Sequence, residues 1–81
     1  MEDKILFRAD RSTGREIRLT LREYQGKPML DLRNFYLDSS TGEYRPTKQG
    51  ISLSSPEMVD DLAVELQNAV EALRKQIAKA K

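Results

Sequence analysis

Arg18, Arg22, Lys27 and Arg33 recur within a short stretch around Tyr24, and this company of side chains has a specific chemical use. Cations spaced along a backbone neutralise phosphates, and a ring among them offers a stacking surface for an unpaired base, worth about 1 to 3 kcal/mol per ring. A solvent-facing sheet surface also carries Arg and Tyr for solubility alone, so the pattern by itself leaves both readings open. Other chemistries are excluded more firmly. The 81-residue chain contains no Cys and no His, which removes disulfides, thiolate or imidazole metal sites, cysteine nucleophiles and the Ser-His-Asp arrangement. Asp31 with Glu16 or Glu23 are the acid–base candidates that remain, and an Asp set among arginines suits charge neutralisation better than proton transfer. No enzymatic activity, metal site or cofactor is expected.

The elements that position these residues follow from two different periodicities. Ile17, Leu19 and Leu21 alternate with Glu16, Arg18, Thr20 and Arg22, as in a strand with one buried face. Gln25-Gly26 interrupts, and Lys27 to Tyr36 resumes an extended reading. A two-residue turn there pairs Tyr24 with Lys27 and fixes every later pair. Leu21 then faces Leu30 and Leu19 faces Leu32, while Arg22 meets Met29, Thr20 meets Asp31 and Arg18 meets Arg33. One face is apolar and the other carries the cations. Strict alternation puts Phe35 with Arg33 and Tyr36 with the leucines, unless a bulge intervenes.

Lys4 to Ala9 forms a short first strand before the polar turn Asp10 to Gly14. After the loop Ser39 to Gly42, Glu43 to Arg45 and Gly50 to Ser54 form two extended pieces around Pro46. The strands therefore lie within about residues 4–54.

From Ser55 the period becomes helical. Ser54 or Ser55 can cap, Pro56 suits the first helical position, and Glu57, Asp60 and Asp61 complement the positive end of the dipole. Val59, Leu62, Ala63, Leu66, Ala69, Val70, Leu73 and Ile77 share one side of a helix over about residues 56–79. Such a helix is roughly 36 Å long, more than the ~30 Å width of a compact chain this size, and should overhang its own sheet.

Length and charge bound the rest. A single domain spanning 1–81, with 38% hydrophobic and 33% charged residues, buries only about 60 to 65% of its unfolded surface and gains by sharing a core with a partner. A homodimer is expected, with Leu62, Leu66, Val70, Leu73 and Ile77 as the contact. The acidic start of one helix would meet Arg74, Lys75, Lys79 and Lys81 of the other in an antiparallel pair. The net charge of +1 is too small to indicate a nucleic-acid partner, so any such role rests on arrangement. The longest apolar run near the N-terminus, Ile5 to Phe7, is far too short for a signal peptide or a membrane span. A cytoplasmic protein is expected, nucleoid-associated in a bacterium or nuclear in a eukaryote, with no membrane partner.

Three segments, taken in order, carry a resemblance. Arg22-Glu23-Tyr24-Gln25-Gly26-Lys27, then Leu30-Asp31-Leu32-Arg33-Asn34-Phe35-Tyr36-Leu37-Asp38, then Gly42 to Leu53 with its Lys-x-Gly-Ile-Ser-Leu ending, resemble the core of the transcriptional coactivator positive cofactor four family over about residues 15–75. The resemblance implies an α+β fold, a four-stranded antiparallel β-sheet followed by one long C-terminal α-helix. This Whirly-like β-β-β-β-α unit dimerises through the helices and binds single-stranded DNA along β-ribbons. It implies stacking at Tyr24 and Tyr36 and backbone contacts from Arg22, Arg33, Arg45 and Lys48, with Phe35 packed. It therefore also implies a bulge or strong twist near Asn34.

Departures are Tyr36 where the family commonly has Trp, Gln49 where a lysine is usual, and a slightly longer loop at Ser39 to Gly42. With Met1 to Asp3 alone ahead of the first strand, the chain resembles short members of bacterial or phage type. The expected DNA contacts are Arg18, Arg22, Tyr24, Lys27, Arg33, Tyr36, Arg45 and Lys48. The same chemistry admits RNA or melted duplex, and transcription or replication proteins are further expected partners. The alternative is a protein-interaction module, a transcription cofactor using the same dimer without touching DNA.

Overall fold

A computed structural model describes residues 2–80; Met1 and Lys81, the last cation expected at the helix end, lie outside the described residues. The chain runs β1 (Lys4–Ser12), β2 (Arg15–Tyr24), β3 (Lys27–Asp38), β4 (Glu43–Leu53) and α1 (Pro56–Lys79). The four strands form one antiparallel sheet in chain order, as the alternation requires. β1 extends past Ala9 to Ser12, and the two pieces expected around Pro46 are one strand, β4. Pro46 is tolerated because β4 is an edge, where a missing N–H breaks no ladder.

The central hairpin has the register that its turn dictates. Gln25 and Gly26 both take positive φ, 51° and 80°, which is the type I′ geometry matched to strand twist. Tyr24 pairs with Lys27, Leu21 with Leu30, Leu19 with Leu32, Arg18 with Arg33 and Arg15 with Tyr36, without a break. The bulge expected near Asn34 is therefore not in β3. It lies in the neighbouring strand, where Pro46 pairs with Phe35 and Gly50 with Arg33, so that β4 residues 47–49 stand opposite Asn34 alone. The parity of β3 is preserved. Phe35 shares a face with Arg33, and Tyr36 lies on the face of Leu30 and Leu32.

The helix begins where its cap is, with the Ser55 hydroxyl accepting from the Met58 N–H at 3.2 Å and Pro56 following in the first turn. It does not lie across its own sheet, as an overhanging helix would. Contact is confined to the first turn, where Pro56 and Val59 close a cleft against Leu21, Leu30 and Leu53. The radius of gyration, 15.3 Å, exceeds the ~12 Å of a compact chain of this length. No described helix is long and apolar enough to cross a membrane.

This arrangement leaves the molecule without an internal hydrophobic core. No apolar side chain is buried among the described residues, and Leu62, Leu66, Val70, Leu73 and Ile77 on the helix are all exposed. On the sheet, Phe7 and Ile51 are exposed on the leucine face. The buried residues are polar: Glu16, Thr20 and Asp31, at 2%, 8% and 3% exposure. All three lie on the cation-bearing face, the reverse of the burial that the alternation suggests.

Candidate nucleic-acid interface

Spacing of two along a strand returns a side chain to the same face. Glu16-x-Arg18 and Asp31-x-Arg33 therefore set a carboxylate beside a guanidinium twice on adjoining strands. Arg18 donates through Nε to Glu16, and its guanidinium lies 4.4 Å from the centre of the Phe35 ring and 5.5 Å from that of Tyr44. Arg33 donates through Nε and Nη2 to the two oxygens of Asp31, at 3.1 and 3.0 Å, and through Nη1 to the Thr47 carbonyl at 2.8 Å. Gly50 is what lets this side chain cross β4. A Cβ there would stand 2.8 Å from the Arg33 guanidinium carbon and 2.8 Å from the Leu32 carbonyl oxygen.

Burial raises the Asp31 carboxyl, but hydrogen bonds from Arg33 and Ser52, with the charges of Arg33 and Arg22, outweigh it and hold the group below its ordinary value.

Arg45 is tied as well. Its Nε donates to Asp38 at 2.8 Å, and Asp38 also accepts from the Ser40 hydroxyl at 2.6 Å and the Ser40 N–H at 3.0 Å. These bonds, the Ser40 hydroxyl first and Arg45 second, pull the Asp38 carboxyl from 3.8 down to about 2. A depressed folded-state value means stability that is complete above the unfolded value and drains as pH falls toward the folded one. Denaturation followed from neutral pH to about pH 2 is expected to show stability level down to roughly pH 4 and falling below it. Asp38→Asn should flatten part of that fall; an unchanged acid limb would remove the loop from the account.

Of the eight residues expected at the interface, Arg18, Arg33 and Arg45 are thus neutralised by carboxylates of their own sheet. Arg22, Lys27 and Lys48 make no ion pair among the described residues, and the Arg22 Nε is buried with no hydrogen-bond partner. Arg22 lines an open cleft of about 400 Å³ with Tyr24, Met29, Asp31, Arg33 and Ser52. Tyr24 stands exposed at the hairpin tip. Tyr36 is 37% exposed on the opposite face, because that end of the leucine face has no cover. The eight residues are therefore divided between two faces.

The sequence reading missed two cations beside Tyr36. Arg15 pairs directly with Tyr36 across β2 and β3, its guanidinium 6.0 Å from the ring centre. Extending the hairpin register three pairs beyond Arg18 and Arg33 would have found it. Arg11 reaches the same end from β1, donating to the Asn34 Oδ1 at 2.9 Å. It sits at an irregularity between Asp10 and Ser12, which no alternation pattern reveals.

Comparison with known proteins supplies the family. Residues 11–60, covering β2, β3, β4 and the helix start, match the family described as Transcriptional Coactivator p15 (PC4). The chain belongs to the PC4 family. Over 62 residues, 76% of this PC4-family chain, it is 44% identical to the RNA polymerase II transcriptional coactivator SUB1 of Saccharomyces cerevisiae, spanning about a fifth (21%) of that protein. The fold is similar to the crystal structure of a PC4 homolog from Burkholderia pseudomallei, with a TM-score of 0.74, 30% identity, and coverage of 85% of this chain and 90% of that one. It is also similar to a bacteriophage T5 homolog of the eukaryotic coactivator PC4 implicated in recombination-dependent DNA replication. There the TM-score is 0.62 and the identity 26%, over 98% of this chain and 90% of that one.

Proposed function

We propose that this PC4-family protein is a homodimer that binds single-stranded DNA with little sequence dependence, in transcription or in replication and repair, and that it catalyses no reaction. The observation that carries the reading is Tyr36, exposed beside the guanidinium of Arg15, which has no carboxylate partner among the described residues. An exposed ring with an adjacent cation that has no carboxylate partner can stack a base and hold the neighbouring phosphate. Tyr24, Arg22, Lys27 and Lys48 supply the same pair of functions further along the molecule.

The two uncovered apolar surfaces support the dimer. The helix stripe and the leucine-bearing part of the sheet face, away from its Tyr36 end, each cost free energy in water, and a second copy brings one of each. The yeast relative named as an RNA polymerase II coactivator and the phage homolog implicated in DNA replication support a role wherever strands are separated. The compartment follows the DNA: nucleus in a eukaryote, nucleoid in a bacterium.

Titration of a fluorescent single strand, against the duplex of the same sequence, tests this. The single strand is expected to bind more tightly, with affinity falling as salt rises. Tyr36→Ala should weaken binding by about 1 to 3 kcal/mol without unfolding the protein. Absence of single-strand binding at low salt would return the surface to the protein-interaction reading, and unchanged affinity in both Tyr36→Ala and Arg15→Ala would move the site elsewhere.

A further inference from the structure

Next to Tyr36 the sheet carries a cleft of about 510 Å³ lined by Arg11, Ser12, Arg15, Asn34, Thr47 and Gln49. It lies at the uncovered end of the leucine face, walled by the β1–β2 hairpin and by the bulge in β4. The hairpin between β1 and β2 is tied over the end of β3 by the Leu37 N–H donating to the Gly14 carbonyl at 2.9 Å. From the other side, the bulge in β4 brings Gln49 up to Asn34.

The polar groups in this cleft are oriented by a relay that starts from a group able only to donate. Arg11 donates to Asn34 Oδ1 at 2.9 Å, so the Asn34 amide must turn its nitrogen outward, and that nitrogen donates to Gln49 Oε1 at 3.0 Å. One lone pair of the Gln49 oxygen is thereby engaged, and the amide is held with its NH2 group as the side-chain donor. Thr47 is also occupied, its hydroxyl donating to the Asn34 carbonyl at 2.9 Å and accepting from the Gln49 N–H at 3.1 Å. The spare hydrogen-bonding capacity of Arg11, Arg15 and Gln49 is therefore dominated by donors.

We infer that this cleft reads one base edge and favours guanine there, a local preference superimposed on otherwise sequence-independent binding, an inference that rests on the single-strand reading of Tyr36. A base stacked on Tyr36 presents its edge to the cleft, since Asn34 and Tyr36 share a face two residues apart on β3. Among the edges that bases show in a major groove, guanine's alone offers two adjacent acceptors, O6 and N7, with no donor between them, and guanidinium pairing to that edge is the commonest specific contact to a base. On the same edge adenine and cytosine present an amino donor and thymine a methyl group to this array of donors. A phosphate would also satisfy the donors, and the experiment separates it from a base.

The full-length protein is titrated with an oligothymidylate and with the same strand carrying isolated guanines, in native or 7-deaza form, the latter replacing the N7 acceptor by C–H. Native guanine is expected to raise affinity about tenfold over thymine, and the 7-deaza form to lose most of that gain. Arg11→Ala and Gln49→Met should each bring the ratio of affinities for the guanine strand and for oligothymidylate close to one, the ratio being the readout so that any loss common to both strands cancels. Equal affinity of the unaltered protein for all three strands overturns the pocket, and if Tyr36→Ala still weakens every strand, the single-strand reading survives that failure. Uniform weakening by Arg11→Ala with a shallower salt dependence makes the ligand a phosphate and likewise overturns it. Binding of none of the strands overturns pocket and single-strand reading together.

Discussion

Leu66→Asp is expected to leave the protein unfolded at concentrations where the unaltered chain is fully folded, whereas Val64→Asp should be nearly silent. The two side chains are equally exposed in the single chain, 59% each, so nothing within one protomer distinguishes them. They differ in the side of the helix they occupy: Leu66 lies in the stripe with Leu62, Val70 and Leu73, and Val64 lies opposite. If the stripe is seated on a second copy, aspartate there loses the transfer energy of leucine and strands a charge. Together these cost about 4 kcal/mol or more per protomer. Small domains hold only about 5 to 10 kcal/mol in total, and a chain with no buried apolar side chain draws most of that from the shared surface. Sedimentation equilibrium and thermal unfolding of both variants decide the matter. A folded, monomeric Leu66→Asp with an unchanged melting temperature would defeat the dimer.

The second large effect is predicted at Asp31. This carboxylate is 3% exposed and bridges strands, accepting two bonds from Arg33 and one from the Ser52 hydroxyl at 3.0 Å. Asp31→Ala leaves Arg33, whose side chain is only 20% exposed, and Arg22, with its buried Nε, facing each other without a counter-charge. Breaking such a pair by removing one partner is costly, and about 3 kcal/mol of stability is expected to go. Arg33→Ala should act on folding in the same way, more than on phosphate contact. Urea denaturation of the two single variants and of the double variant Asp31→Leu with Arg33→Leu gives the check. The double change should cost less than the sum of the singles, because two apolar side chains leave no orphaned charge. Strict additivity would mean that the pair is not coupled.

These outcomes mark where the sequence was readable. The hairpin register followed from one turn and one alternation, and each agreed with the other through Arg18 and Arg33. The helix announced itself through Ser55, Pro56 and its stripe. The position of the bulge did not, since Thr47, Lys48 and Gln49 carry no turn signal and their looping is imposed by pairing on both sides. Nor did the neutralisation of the arginines receive its due. Glu16-x-Arg18 and Asp31-x-Arg33 are plain in the sequence. A cation on a strand face was counted as available when its own strand had already supplied the counter-charge. Of the two cations beside Tyr36, Arg15 lies within reach of the unbroken β2–β3 register, and Arg11 is hidden by the irregularity of β1 between Asp10 and Ser12.

Those irregularities bear on solubility. An open sheet ends in two strands whose outer N–H and C=O groups are templates for runaway strand addition, and this sheet also exposes a broad apolar face. Both borders are spoiled for such growth: β1 breaks its ladder twice, and β4 combines a bulge with Pro46, which has no N–H to give. Growth at the rims is thereby disfavoured, and the proposed dimer, made through the faces, would close after two copies instead of propagating into a fibre.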